Sequence, residues 1–466
     1  MWYAVVMLFG KSDANILSEN RKFPVDYIVI YILQFTSATY LCYMKILLLG
    51  SGGREHALAW KIKQSADCEQ LFIAPGNPGT ADCGINVNIK ATDFDQLALF
   101  CTEQHIDMLV VGPEDPLVLG VVDFFAVYPG LEDLPVIGPN KIAAQMEGSK
   151  VFAKAFMLRN NVQTPAYQQF SNQTLNEASH YILEQPLPIV LKADGLAAGK
   201  GVVICEDHAQ AINEIQLMLS GKFGTAGNKV VVEQFLYGIE LTVIILTDGE
   251  NYLILPPSKD YKKVGVGDTG LNTGGMGAVS PPTFITENFM KKVEDRIIKP
   301  TMSGLKKEAI KYKGFLYFGL FNCNEEPYLI EYNARLGDPE TQVILPRIKN
   351  DLLGLFMAVH QEKLAEVKLE IDARTCATVI LASDGYPGQF EKGKQITGLE
   401  NTEDCIVFHA GTSLDENGTL ITSGGRVLAV SSYGSDLFEA LRSCYINAGR
   451  IYYETRYFRR DIGWDL

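Results

Sequence analysis

Hydrophobic residues fall in two rhythms along this chain. From Met44 onward, short unbroken apolar runs alternate with stretches whose apolar residues recur at helical spacing. KILLLG, LFIAPG, DMLVVGPE and PVIGP are such runs, and HALAWKIKQ is an amphipathic stretch between the first two. A run that is apolar at every position suits a strand buried on both faces, and helical stretches between such runs supply crossovers. Residues 44–144 are therefore predicted to form a doubly wound parallel α/β domain, with ligands at the carboxyl ends of its strands.

The pattern shifts at about residue 145. EGSKVFAKAFMLRN predicts a helix, and PIVLKADG, GKGVVICED and KVVVEQFLYG predict strands around a glycine-rich turn and a helix over AQAINEIQLMLS. GIELTVIILTDG to YLILPPS predicts a hairpin. SKDYKKVGVGDTGLNTGGMGAVSPP is polar and glycine-rich, and it reads as one long loop. GFLYFGLFNCN and PYLIEYNARLGDPE predict a strand pair ending in charge. From about Ile371, short strands and a final helix predict a smaller α+β domain over 371–466.

Residues 1–43 do not share these rhythms. Val25 to Tyr43 is apolar and near the length of a membrane span, but Asp26, Gln34, Thr36 and Ser37 interrupt it. No signal-cleavage pattern or Arg-rich transit helix is evident. The segment reads as an over-extended start before Met44, or as an anchor or an extra strand.

Composition narrows the function. A chain of 466 residues predicts two to four domains of roughly 100–200 residues each. The net charge of −14 argues against a general nucleic-acid binder, while leaving room for small phosphorylated ligands. Nine scattered cysteines without a CxxC pair suit reduced thiols in a cytoplasmic enzyme. No HExxH pattern occurs among the six histidines.

Several segments carry candidate chemistry. Gly50-Ser-Gly52-Gly53-Arg54-Glu55 joins a strand to a helix, where glycines let a phosphate approach the backbone. Glu55 stands where a dinucleotide fingerprint has its third glycine, and the next strand ends at Asn77, not in an acid. A sugar-phosphate site, a structural turn and an NAD site remain alternatives. Glu114 closes another strand, either to accept ribose hydroxyls or as an ordinary turn acid. Lys192-Ala-Asp-Gly195-Leu-Ala-Ala-Gly199-Lys200-Gly201 is not a Walker loop, but it suits a flexible lid over phosphates. Lys192 ends an apolar strand, where an ammonium needs an anionic partner. Lys150 opens a helix and is a second candidate. For each lysine, a snorkelling surface side chain is the alternative. Glu233-Gln-Phe235-Leu236 can frame an adenine by backbone groups and apolar walls, with Glu240 holding the ribose. Glu331 and Asn333 share one face of a strand and offer two oxygen ligands suited to Mg²⁺. Arg335 falls on that face, where it can meet a developing oxyanion. Asp338, beyond the strand, is placed to receive an amine. A solvated charged strand end is the alternative for this group.

Taken together, GSGGREHALAWK, APGNPGT, VGPEDPLVLGVVD, EGSKVFAK, LKADGLAAGKGV, NTGGMGA, IEYNARLGDPETQ and FHAGT with SGGRVL resemble, in order, the phosphoribosylamine–glycine ligase family of the ATP-grasp superfamily. The resemblance runs from Met44 to the last residues. It implies a Rossmann-like substrate domain over 44–144, an ATP-grasp domain over 145–370 with a mobile lid at about 165–235, and a C-terminal α+β domain. It further implies ATP as co-substrate, Mg²⁺ or Mn²⁺, and glycine and 5-phosphoribosylamine as substrates. Neither nucleic acid nor stable membrane association is expected, and the chain is expected to be a monomer. Carried onto this sequence, Lys150 and Lys192 meet the ATP phosphates under the Gly195–Gly201 lid. Glu233, Phe235, Leu236 and Glu240 hold the nucleoside, and Glu331 and Asn333 the metal. Gly52, Gly53, Glu114, Asp338 and Arg426 are candidates for the phosphoribosylamine site. The strand before Glu331 reads Tyr317-Phe-Gly-Leu-Phe321 and lacks the acid that many ATP-grasp enzymes use. Other readings are a different ATP-grasp carboxylate–amine ligase or carboxylase of purine metabolism, an NAD-dependent oxidoreductase, and a non-catalytic ATP-binding scaffold.

Overall fold

The computed structural model describes residues 43–195 and 201–466. The first sheet contains β1 (Met44–Gly50), β2 (Cys68–Pro75), β3 (Ile85–Asn86), β4 (Met108–Val111) and β5 (Val136–Ile137). Their order is β3-β2-β1-β4-β5, and every pairing is parallel. β1 lies at the centre, which is why Ile46, Leu47, Leu48 and Leu49 are all fully buried. Strand order reverses between β1 and β4, so a crevice opens at their carboxyl ends. The Gly50–Gly53 turn and Gly112–Glu114 stand there, as the doubly wound reading predicts.

A second sheet takes β6 (Tyr167–Ser171), β7 (Ile189–Ala193), β8 (Val202–Cys205) and β9 (Lys229–Gln234) in the order β6-β9-β7-β8. The helices Leu175–Glu184 and His208–Leu217 accompany it, and Ile182 and Ile215 join Phe170, Leu191 and Val232 in one apolar cluster.

β10 (Ile239–Thr247) and β11 (Tyr252–Ile254) form the predicted hairpin. The stretch read as a long loop differs from expectation. It contains β12 (Lys259–Asp260), β13 (Lys263–Gly265), β14 (Thr269–Asn272) and β15 (Gly277–Ser280). Such strands, two to four residues long, are too short to show a period-two pattern. Their partners supply the order: β15 pairs antiparallel with a strand about a hundred residues later, Ala278 opposite Thr378.

β16 (Gly314–Cys323) and β17 (Glu326–Asn333) follow, giving a third sheet of order β11-β10-β16-β17. The C-terminal strands are β18 (Thr375–Ser383), β19 (Ile406–His409), β20 (Thr412–Leu414), β21 (Leu420–Thr422), β22 (Arg426–Gly434) and β23 (Arg456–Tyr457). Their main sheet runs β12-β15-β18-β22-β19, so it reaches back across residue 371 to take two strands from the preceding region. The helix Leu437–Arg450 packs on it through Ala440 and Cys444. Among the described residues, eight cysteines are free and no helix is long and apolar enough to cross a membrane.

Candidate functional site

A cavity of about 630 Å³ is lined by residues from the first sheet's crevice, from β7, β16 and β17, and from β22. Lys150, Lys192, Gly201, Glu114, Glu331, Asn333, Arg335, Asp338 and Arg426, drawn from separate segments of the chain, all line it.

At one end stand lysines. Lys150 opens the helix Lys150–Arg159, capped by Ser149, whose hydroxyl accepts from the Phe152 N–H. Its Nζ donates to the Gly195 carbonyl at 3.1 Å. Gly195 itself has φ +82°, the left-handed turn that glycine permits. Burial lowers the Lys150 pKa, against the opposing charge of Glu331. Lys192 was expected to need an anionic partner, and the protein supplies one: its Nζ lies 2.5 Å from Glu233 Oε2. The part expected of Glu233 in framing an adenine is a backbone one, and its side chain is engaged elsewhere. Its carboxylate is buried between Lys192 and Lys154, so only its backbone is left to frame an adenine. Glu233, Gly195, Phe235, Leu236, Glu240, Gly52 and Gly53 are not among the lining residues. The Phe235 ring packs edge-on against Tyr237, with centroids 5.0 Å apart. Glu240 is held by Lys262 at 2.6 Å, and Lys262 does line the cavity. Gly199 and Lys200 lie outside the described residues.

In the middle, Glu331 and Asn333 end β17, opposite Gly319 and Tyr317 of β16. A carboxylate and an amide oxygen from alternate residues are hard donors that suit Mg²⁺ or Mn²⁺. Among the described residues, no three His, Cys, Asp or Glu side chains gather into a metal-binding group. A cation held by this pair would leave its other positions to phosphate and water. Nearby, Glu340 accepts from the Tyr317 hydroxyl at 2.9 Å. Burial, reinforced by the Asp260 charge, pushes its carboxyl up to about 7.

At the other end, charges interlock. Arg335 lies past the end of β17, and its guanidinium donates to Glu114 Oε2 at 3.1 Å and to Glu147 Oε1 at 2.7 Å. The Ala334 N–H satisfies the second Glu147 oxygen at 2.7 Å. Burial raises Glu147 despite the Arg335 charge. Burial also opposes ionisation of Glu114, but Arg335 and Arg54 outweigh it and hold that carboxyl at about 2. Arg54 in turn meets Glu55 at 2.6 Å. Glu55 Oε2 accepts from the Gly52 N–H at 2.6 Å. The residue that breaks the dinucleotide fingerprint thus fills the helix terminus where a pyrophosphate would sit. Gly52 and Gly53 leave room for polar side chains at the turn: a Cβ on Gly52 would lie 2.8 Å from Glu55 Oε2, and one on Gly53 2.6 Å from Gln342 Nε2. Asp338 accepts from the Gln342 amide at 2.8 Å and faces Arg426 Nη2 at 3.4 Å. Burial would raise its carboxyl, yet Arg426, Arg54 and Gln342 hold it below its usual value. Arg426 also donates to the backbone carbonyls of Asp338 at 2.6 Å and Gly274 at 2.8 Å.

Sequence reasoning missed Lys154, Glu147, Lys262, Asp260 and Glu340 as parts of this wall. Glu147 opens the EGSK segment on the short helix Gln145–Gly148, and Lys154 follows on the helix Lys150–Arg159; a charged residue among apolar neighbours was the available signal at each. Asn77, noted only for not being acidic, is a stitch: its amide donates to Ser51 O at 2.8 Å and to His409 O at 2.9 Å.

Comparison with known proteins agrees with this layout. Family models described as Phosphoribosylglycinamide synthetase match in three parts: the N domain over residues 44–147, the ATP-grasp (A) domain over 148–341 and the C domain over 376–465. The chain is 45% identical over 427 residues to a phosphoribosylamine–glycine ligase of Vibrio cholerae serotype O1, covering 90% of this chain and 98% of that protein. It is 44% identical over 422 residues to the Clostridium acetobutylicum enzyme of the same name, covering 90% and 99%. The crystal structure of phosphoribosylamine–glycine ligase from Thermotoga maritima superposes with a TM-score of 0.76 at 34% identity, over 90% of this chain and 99% of that one. An ADP complex of N5-carboxyaminoimidazole ribonucleotide synthetase shares the fold at TM-score 0.59 and 16% identity, over 87% and 96%. By its three matched domains and the extent of these identities, the chain belongs to the phosphoribosylglycinamide synthetase family of ATP-grasp phosphoribosylamine–glycine ligases.

Proposed function

We propose that this chain ligates glycine to 5-phosphoribosylamine at the expense of ATP, giving glycinamide ribonucleotide, ADP and phosphate. The glycine carboxylate attacks the γ-phosphate to form glycyl phosphate, and the sugar amine then displaces phosphate. Such a reaction needs charge neutralisation and alignment more than a protein nucleophile. One observation carries the reading: lysines, a two-oxygen metal-donor pair and an arginine–carboxylate array line one cavity of about 630 Å³.

In this reading Lys150 and Lys192 neutralise the ATP phosphates, beneath a lid that includes Gly195, Gly199, Lys200 and Gly201. Backbone groups of Glu233, with Phe235 and Leu236, frame the adenine, and Glu240 holds the ribose. Glu331 and Asn333 hold Mg²⁺ or Mn²⁺, which supplies charge neutralisation at the transferring phosphoryl group when bound. Arg335 and Arg426 face the anionic intermediate. Asp338, kept ionised by Arg426, receives the amine proton. Gly52, Gly53 and Glu114 approach the ribose phosphate side. The free cysteines support a cytoplasmic setting, and a monomer is the proposed working form.

The test is identification of products after mixing the full chain with ATP, magnesium, glycine and freshly made phosphoribosylamine. Glycinamide ribonucleotide and ADP in equal amounts are expected. ADP release indifferent to glycine and the sugar amine, or ligation of another carboxylate in preference to glycine, would overturn the assignment.

A further inference from the structure

Lys154 lies one helical turn beyond Lys150, lines the cavity, and is 2% exposed. Its Nζ donates to Glu233 Oε1 at 2.6 Å and to Thr164 Oγ1 at 2.6 Å. The Thr164 hydroxyl donates onward to the Leu329 carbonyl at 2.7 Å. The other Glu233 oxygen meets Lys192 Nζ at 2.5 Å. An ion pair this deeply buried rarely stabilises a fold better than apolar side chains of the same volume would. Its presence in a cavity wall therefore asks for another reason.

We infer that Lys154 is a positioning residue for nucleotide binding, which keeps the Lys154–Glu233–Lys192 trio net positive and holds the Lys192 ammonium in place for phosphate. The inference rests on the reading of Lys192 as a phosphate contact and deepens it. Glu233 alone would cancel the charge of Lys192, and a polyphosphate gains little from approaching a neutral pair. A second ammonium on the far carboxylate oxygen restores an uncompensated positive charge. Its hydrogen bond also anchors the carboxylate at Oε1, which leaves Oε2 for the Lys192 ion pair. The Thr164–Leu329 link ties the trio to β17, which ends in Glu331 and Asn333. Phosphate-binding and metal-binding ends are thereby held to one frame.

The surrounding charges agree. Burial pushes the Lys154 ammonium down to about 8, Glu233 on β9 and Glu331 on β17 pull it up, and Lys192 on β7 pushes it down. The Tyr167 ring of β6 lies 5.8 Å from Nζ. Lys154 is therefore charged at neutral pH.

Equilibrium binding of ATP with magnesium to the full chain tests this, alongside steady-state kinetics and thermal melting. Lys154→Met should weaken ATP binding ~10-fold while leaving kcat at saturating ATP within about twofold. Lys154→Met/Glu233→Gln removes the acid and its counter-cation together and leaves Lys192 charged, so it should regain most of that affinity. Wild-type affinity in Lys154→Met overturns the inference. So does a double variant that binds no better than the single one, because a packing role would not be rescued by charge. If Lys154→Met does not fold, Lys154→Gln, which keeps a donor toward Glu233 and removes the charge, takes its place: a similar ~10-fold loss of ATP affinity supports the inference, and unchanged affinity overturns it. A wild-type chain that binds no ATP overturns the nucleotide reading itself, whereas binding that no variant changes overturns this inference alone.

Discussion

The two ends of the cavity are charged on different principles. At the lysine end, Lys154 and Lys192 share one paired carboxylate, Glu233, while Lys150 donates to the Gly195 carbonyl and feels the charges of Glu331 and Asp194. At the arginine end, Arg54, Arg335 and Arg426 meet four carboxylates, Glu55, Glu114, Glu147 and Asp338. An ammonium is a point charge on a flexible stem, whereas a guanidinium is a planar fork that can serve two partners at once. The lysine end therefore holds positive charge in reserve for an incoming anion. The arginine end is already neutralised by its own carboxylates, and its geometry is set before any ligand arrives. Polyphosphate recognition suits the first, and orientation of a small amine and acyl group suits the second.

Breaking the arginine end should cost most in stability. Arg335→Met strands Glu147 and is expected to destabilise the chain by about 3–5 kcal/mol in denaturant unfolding. A loss below about 1 kcal/mol would mean that the carboxylates find other partners. Next comes acid sensitivity beside the same end, where the His409 N–H donates to His56 Nδ1 at 2.7 Å. Burial lowers His56 to about 3 and His409 to about 4. Below pH 6.5 the unfolded chain binds protons that the folded chain refuses. Stability is therefore full above 6.5 and falls as pH drops toward 4, by roughly 2 kcal/mol per histidine at pH 5. His56→Gln should flatten the melting-temperature profile between pH 6.5 and 5; an unchanged slope would assign the sensitivity elsewhere.

The lysine end should respond in function more than in folding. Lys192→Ala should raise KM for ATP ~10-fold or more, with little change in melting temperature because Glu233 keeps Lys154. An equal loss of stability at Lys192 and at Arg335 would erase the contrast between the ends. The smallest effect belongs to the far end of the helix Lys150–Arg159. Arg159 makes a two-pronged but exposed contact with Glu308, at 3.0 and 2.7 Å. Its replacement by alanine should cost below about 1 kcal/mol and leave ATP binding unaltered.

Much of this was legible in the chain's sequence. Unbroken apolar runs located β1, β2 and β4, and the charged end of PYLIEYN located Glu331 and Asn333. Lys192 was legible because an ammonium at the end of an apolar strand demands a partner. That the partner is Glu233, a residue on another strand paired at Val190, was not, because cross-strand register is invisible to local periodicity. Lys262 and Glu340 escaped for the same reason: their contacts to Glu240 and Tyr317 span many residues. The glycine-rich stretch from 258 to 282 was misread as a loop because its strands are short and take their order from a distant one.

That same stretch limits how the chain can be divided. β15 is an interior strand of the C-terminal sheet, between β12 and β18, and Arg426 from that sheet grips the carbonyls of Asp338 and Gly274. A fragment ending near residue 370 would carry an orphaned strand with an open edge, an invitation to self-association. Recombination between relatives should therefore tolerate exchanging the first domain more readily than swapping the nucleotide-binding and C-terminal parts independently, since those two share hydrogen bonds as one inheritance.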